Sequence, residues 1–326
     1  MLKGVQKTQV IGVDISLEET SYAIVDVRGN ILARDSFDSS AYPQIEGYVS
    51  KLCDSIVKLI EENNAIEHIR SIGISAPSGN YLTGCIENSP NMPWRGVIPL
   101  AAMVRDRLGL AVALANDCHA VAMGEQAFGS AHGLRNFCVV TLGHGLGCTV
   151  FSGGSVHTGA NGFAGELGHT CIVDNGRACN CGRLGCLESY VASKGIVRTA
   201  RELMEENNDS SLMRDLDKLT PKTIRDCCEK GDRMAIEVYC RTGYWLGIGL
   251  ANLATMFDPE AIILTGGISQ AGRWLTEPTK DSFENHVFNN IRGRVDLIVS
   301  QLTNRERDIL GASVLAWNVK EYSLFK

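Results

Sequence analysis

The stretch Gly165–Ser189 reads GELGHTCIVDNGRACNCGRLGCLES, and four of its side chains have the types and spacing of a metal site. His169, Cys179, Cys181 and Cys186 fall within eighteen residues, as a C-x-C pair, a third cysteine beyond a glycine-rich knuckle, and an imidazole to fill the fourth tetrahedral position. Three thiolates and one imidazole make a closed ligand set, which points to structural rather than catalytic zinc. A redox-active or merely buried thiol cluster is the competing reading, against which Gly182 and Gly185 serve a tight metal loop better than a core. Cys171 reads as a packing residue on a neighbouring strand.

Two other groups of residues suit phosphate and acid–base chemistry. Asp14 closes the β-branched run QVIGVD, and Asn116–Asp117 closes GLAVALAND ahead of a small-residue helix. An Asn-Asp pair there is either an ordinary helix cap or a carboxylate presented at a strand end. The turns around Gly143, Gly145 and Gly147, and around Gly266 and Gly267, offer backbone N–H groups to an anion. GHGLG leads into a strand rather than a helix, so it is not a dinucleotide fingerprint.

The elements that position these residues follow from periodicity. QVIGVD, SYAIVD and ILARD form a three-strand meander, and residues 45–62 carry the apolar spacing of an amphipathic helix. IRSIGISAP and GLAVALAND are further strands. The meander pattern recurs in NFCVVTLGHGLGCTVFSGGSVHTG, which suggests duplication of one α/β unit. Helices are expected at about 192–206, 221–230 and 234–257, then the strands AIILTGG and VDLIVS and a closing helix RDILGASVLAW. The expected product is two α/β lobes with a central cleft. The smaller comprises residues 1–115 plus the C-terminal helix at about 307–326, and the larger, residues 116–306, carries the metal segment.

Composition narrows the function classes. The chain has 326 residues, 44% hydrophobic and 21% charged, and a net charge of −6 that gives no footprint for nucleic acid. No apolar stretch approaches the ~18 residues of a membrane span, and the start MLKGVQKTQV lacks the apolar region of a signal peptide. Twelve cysteines are too dilute for a disulfide scaffold; Cys53, Cys138, Cys148 and Cys240 sit among apolar residues and read as buried thiols of a cytoplasmic protein.

GELGH followed by CNCGRLGCLE resembles the ROK family (repressor, open reading frame, kinase), which contains bacterial glucokinases and other hexose kinases. GISAPSGNYLTGCIENSPNMPW, ALANDCHAVAMGE and FDPEAIILTGGIS extend the resemblance over essentially the whole chain. It implies an actin-like ATPase (ribonuclease H-like) α/β fold, usually a homodimer, with hexose and ATP as ligands. Matched residue by residue, it implies Asn91, Asn116, Asp117, Glu166, His169 and Glu188 as sugar contacts, with Ser78 and Gly79 as weaker candidates. Asp117 becomes the general base toward the sugar C6 hydroxyl, and His169 shares its two ring nitrogens between zinc and sugar. Asp14, Gly143, Gly145, Gly266 and Gly267 become the Mg-ATP site. The family's first phosphate loop is roughly D-I-G-G-T; here Ser16 and Leu17 replace the glycines, Glu18 replaces the threonine, and His144 stands inside the second glycine motif. The resemblance therefore implies an ATP-dependent hexose kinase, or a hexose-binding pseudokinase or regulator with impaired phosphate binding. A DNA-reading repressor needs a helix-turn-helix extension for which about nine residues before the first strand leave no room.

Overall fold

The computed structural model describes residues 7–89 and 92–319. Its first elements are β1 (Gln9–Ile15), β2 (Glu19–Asp26), β3 (Ile31–Asp38), α1 (Ile45–Glu62), β4 (Ile69–Ala76), β5 (Gly79–Asn80), β6 (Cys85–Glu87), β7 (Val97–Ile98), α2 (Leu100–Leu108), β8 (Ala111–Asn116) and α3 (Asp117–Phe128). There follow β9 (Phe137–Leu142), β10 (Leu146–Ser152), β11 (Ser155–Val156), α4 (Glu188–Val191), α5 (Ser193–Glu206), α6 (Pro221–Glu229) and α7 (Arg233–Phe257). The chain continues with β12 (Ala261–Thr265), α8 (Arg273–His286), β13 (Asp296–Val299) and α9 (Asn304–Asn318). Among the described residues no helix is long and apolar enough to cross a membrane.

The chain divides into two compact units: residues 1–132, 160–162 and 301–326, and residues 133–159 and 163–300. Unit 1 holds a five-stranded sheet in the order β3-β2-β1-β4-β8, antiparallel through the meander and parallel from β1 to β4 to β8. Unit 2 repeats the pattern as β11-β10-β9-β12-β13, with the same change from antiparallel to parallel at the corresponding place. The repeat of order and direction agrees with the duplication expected from the recurring meander.

The unit 1 sheet is apolar on both faces because helices cover both. Ile11, Val13 and Ile24 pack with Leu52 and Ile56 of α1, while Val10, Ala23 and Val25 pack with Ile309, Leu310 and Ala316 of α9. α9 lies so close to β4 that a Cβ on Gly73 would come within 1.9 Å of the Ala312 carbonyl oxygen. Ser71 adds a buried hydrogen bond to the Ala316 carbonyl at 2.8 Å. α3 joins the same unit because its Ala120 turn abuts Gly311 of α9. α3 thus falls within unit 1, whose first segment ends at His132.

The unit 2 core joins the inner face of its sheet to α5, α6, α7 and α8 through residues such as Val140, Ile196, Ile224, Leu246 and Phe283. Of the four thiols expected to be buried, Cys53, Cys138 and Cys148 are, but Cys240 is exposed. α7 buries Ala235, Val238, Tyr239 and Thr242, and position 240 falls on its opposite face beside Glu237 and Arg241.

Candidate functional site

In unit 1 the local fold presents carboxylates at the ends of parallel strands. β1 and β4 place Asp14 opposite Ser75, whose hydroxyl donates to Asp14 Oδ1 at 2.9 Å. Asn116 ends β8 and caps α3, its Oδ1 accepting from the Cys118 N–H at 2.9 Å. Asp117 opens α3 and its Oδ1 accepts the same N–H at 2.8 Å, and the Cys118 side chain adds a second hydrogen bond to the carboxyl. Asp117 is solvent-accessible, yet the protein crowded behind its carboxyl raises the pKa by desolvation; the Cys118 hydrogen bonds oppose this, and Asp308 adds to it.

Asp308 and Arg307, on α9, were not among the residues singled out from the sequence. Burial, then the charge of Asp308, raise Asp14 to about 7, with Asp117 adding and Ser75 and Arg307 opposing. Arg307 holds Asp308 through Nε at 2.8 Å and a second guanidinium nitrogen at 3.3 Å. Asp308 and Asp117 thus act on Asp14 as neighbouring negative charges, and the Arg307 guanidinium offsets them in part.

The raised value has a stability consequence with a definite sign. Because the folded-state pKa of Asp14 lies above its unfolded value of 3.8, the folded chain binds more protons between about pH 4 and 7, and stability falls as pH rises through that window. In metal-free protein, Asp14→Asn is expected to raise the melting temperature at about pH 8 and to raise it less at about pH 5. Equal shifts at the two pH values would show that Asp14 does not titrate in this range.

The first turn, Ser16–Glu19, contains no residue at positive φ. Ser16 N–H donates to the Glu19 carbonyl at 2.9 Å and Ser16 Oγ accepts from Glu19 N–H at 3.1 Å, closing a tight hairpin. Replacing the expected glycines therefore costs this turn no left-handed backbone strain. Glu19 accepts from Ser21 Oγ at 2.9 Å, and Leu17, Glu18 and Glu19 are all exposed. Ser78 is held at φ 56°, an uncommon conformation for a residue with a side chain, and its carbonyl accepts from Glu87 N–H at 3.0 Å. Asn91 lies outside the described residues.

In unit 2 the metal candidates converge. His169 Nδ1 lies 3.7 Å from Cys179 Sγ, Cys181 Sγ lies 3.7 Å from Cys186 Sγ, and all four ligand atoms fall within 4.8 Å of one another. Ligand bonds of ~2.3 Å to sulfur and ~2.0–2.1 Å to nitrogen in a tetrahedron set ligand atoms about 3.5–3.8 Å apart. The donors therefore fit zinc, and the cysteines are free thiols. Gly185 at φ 75° makes the return of the knuckle, where its N–H donates to the Arg177 carbonyl at 2.8 Å. Cys171 pairs with Cys186 across an isolated bridge but is exposed, so it is neither a fifth ligand of the cluster nor the packing residue expected.

His169 turns its other nitrogen outward, with Nε2 3.9 Å from Glu166 Oε2. Were a metal held through Nδ1, Nε2 would carry the proton and face this carboxylate. Glu188 opens α4, and its Oε2 accepts from Leu146 N–H at 2.9 Å. A Cβ on Gly145 would stand 2.8 Å from the same oxygen, so a side chain at residue 145 would push the Glu188 carboxylate aside. The turn is closed by Gly143 N–H to the Gly145 carbonyl at 3.0 Å and anchored by Ser193 on the Gly143 carbonyl. Gly266, at φ 94°, lies against the Leu142 carbonyl, where a Cβ would come within 2.2 Å. Gly267 follows it with open space at its Cα, and His144 is exposed in the turn. Unit 2 thus sets Glu188 against Gly145 at the start of β10 and Gly266 against Leu142 at the end of β9.

The model of the ROK family matches residues 10–319. A glucokinase of Halalkalibacterium halodurans is 32% identical over 319 residues, covering 95% of this chain and 94% of that protein. The xylose repressor of Caldicellulosiruptor bescii is 26% identical over 300 residues, 91% of this chain and 75% of the repressor. The structure of a ROK family glucokinase from Streptomyces griseus, in complex with glucose and AMPPNP, superposes with a TM-score of 0.76 at 30% identity, covering 95% of this chain and 100% of that one. The fold is accordingly the α/β actin-like ATPase fold expected from the sequence.

Proposed function

The chain belongs to the ROK family, and from that premise we propose that it is an ATP-dependent, glucokinase-like hexose kinase that phosphorylates the C6 hydroxyl. The observation that carries the reading is Asp117: a solvent-exposed carboxylate at the first turn of α3, raised by desolvation and oriented by Cys118. A base of raised pKa is the better acceptor for a hydroxyl proton. Asp117 takes the proton of the C6 hydroxyl as that oxygen attacks the γ-phosphorus of ATP.

Asn116, Glu166, His169 and Glu188, with Asn91, orient the sugar through its remaining hydroxyls. Glu166 and Glu188 accept, and His169 Nε2 donates. Backbone N–H groups at Gly143, Gly145, Gly266 and Gly267 receive the nucleotide. Mg²⁺, for which Asp14 is the fitting ligand, supplies charge neutralisation at the transferred phosphates. Zinc on His169, Cys179, Cys181 and Cys186 supplies rigidity to the loop between Glu166 and Glu188 and no step of the reaction. The same reading makes the protein a cytoplasmic homodimer.

A second reading, a hexose-binding regulator with impaired phosphate binding, is favoured by the first turn. Glu18 is exposed there, and a carboxylate held about 5 Å from a phosphate charge costs about 3 kcal/mol at an effective dielectric near 20. The strain-free backbone of Ser16–Glu19 and the tie of Glu19 to Ser21 leave Glu18 as the main opposing charge, on an exposed side chain free to swing into solvent. That favours the kinase. The deciding experiment is ADP release from Mg-ATP with a panel of hexoses. Hexose-dependent turnover is expected. No turnover, with a hexose still raising the melting temperature, would establish the regulator instead.

A further inference from the structure

We propose that Arg177 is a positioning residue that fastens α4 to the metal knuckle and so sets Glu188 between the sugar and the Gly143–Gly147 turn. The inference rests on the reading of Glu188 as a sugar contact. Arg177 stands two residues before Cys179, and its side chain is only 11% exposed. One terminal nitrogen donates to the carbonyls of Ser189 and Gly195, each at 3.2 Å. The other donates to Thr199 Oγ1 at 2.9 Å and to Glu202. The guanidinium lies 4.7 Å from the centre of the Tyr190 ring, and the Tyr190 hydroxyl accepts the Arg177 backbone N–H at 2.9 Å.

These partners are the body of α4 and its junction with α5. α4 has four residues, a single turn, which does not hold itself in place through its own hydrogen bonds. Its first residue is Glu188, whose Oε2 is committed to Leu146 N–H. Any tilt of α4 moves that carboxylate with respect to both the glycine turn and the sugar. The plain alternative is a buried ion pair with Glu202, but Glu202 is also held by Arg198 at 2.7 Å, and an ion pair explains neither the two carbonyl contacts nor the ring contact.

Arg177 also lines an open pocket of about 470 Å³ together with Tyr190, Cys240, Tyr244 and Trp245. Truncating the arginine would widen this pocket and remove the side chain that holds the Ser189 carbonyl and the Tyr190 ring of α4. Lysine carries the charge but not the planar fork that meets two carbonyls, a hydroxyl and a carboxylate at once.

The test compares Arg177→Met, Arg177→Lys and Glu202→Gln with the unsubstituted chain, all zinc-loaded. Arg177→Met is expected to raise the hexose KM about tenfold or more with the ATP KM within about threefold, the pattern of lost substrate binding, and to lose the hexose-induced rise in melting temperature. Arg177→Lys is expected to recover part of the loss, and Glu202→Gln to leave the hexose KM near its original value. A hexose KM within about twofold of the original in both arginine variants overturns the proposal, as does an equal effect from Glu202→Gln. Should Arg177→Met not fold, Arg177→Lys against Glu202→Gln decides by the same criteria. If the unsubstituted chain neither turns over nor responds to any hexose, it is the kinase and sugar reading that has failed. Arg177 is then judged by zinc release to a chromophoric chelator: several-fold faster release from the arginine variants supports the fastening, and unchanged release overturns it.

Discussion

Asp117→Asn is expected to lower hexose-dependent ADP release by about 10²–10⁴-fold, the usual contribution of a positioned general base. Asparagine keeps the size of the side chain and an oxygen to accept the Cys118 N–H that Asp117 now holds at 2.8 Å, so α3 should retain its first turn. What is lost is the second carboxylate oxygen and its raised basicity. The hexose-induced rise in melting temperature is therefore expected to survive in the variant even though turnover does not. Turnover within about tenfold of the original would remove Asp117 as the base and direct attention to Asp14 or Asp308, the carboxylates beside it.

The metal knuckle carries the second large effect. Protein purified without chelator is expected to hold one zinc per chain, and Cys186→Ser to hold none, because Cys186 is the fully buried ligand of the cluster. Burial and the neighbouring thiols push the Cys186 thiol up to about 12, a cost that a bound cation reverses by favouring the thiolate. Unit 2 has its own apolar core, so losing the metal should leave most of its secondary structure intact. The melting temperature is expected to fall by roughly 5–10 °C, while the hexose response disappears because Glu166 and Glu188 flank the released loop. Elemental analysis finding no zinc in the original protein, or a full hexose response in Cys186→Ser, would refute the structural role of the cluster.

Much of this was legible in the sequence because it is local. The amphipathic spacing of residues 45–62 and the two meanders are short-range patterns, and they return as α1 and as two sheets of one strand order. The metal ligands lie within one short loop, so spacing alone brings them together. Asp308 lies 294 positions from Asp14, and in sequence the run RERD at the start of α9 looks like an ordinary solvated helix face. Only the seating of α9 on the glycines of β1 and β4 makes it a neighbour of the other carboxylates. Cys240 misled for a related reason: apolar neighbours in sequence do not say which face of a 25-residue helix a position occupies. The first turn could not be judged from residue types either, since the cost of replacing a glycine depends on the φ it adopts, and here none is positive.

The seating of α9 also orders events during synthesis. Residues 7–132 leave the ribosome as a sheet with one face uncovered, since Ile309, Leu310 and Ala316 are translated after the whole of unit 2. Unit 2, nearly continuous in sequence, can bury its core before that final helix emerges. At ~5–20 residues per second the nascent N-terminal sheet waits on the order of 10–40 s for its cover. Over that interval it offers Val10, Ala23 and Val25 to chaperones, and a ribosome stalled before residue 304 releases a chain whose second unit is complete and whose first is not.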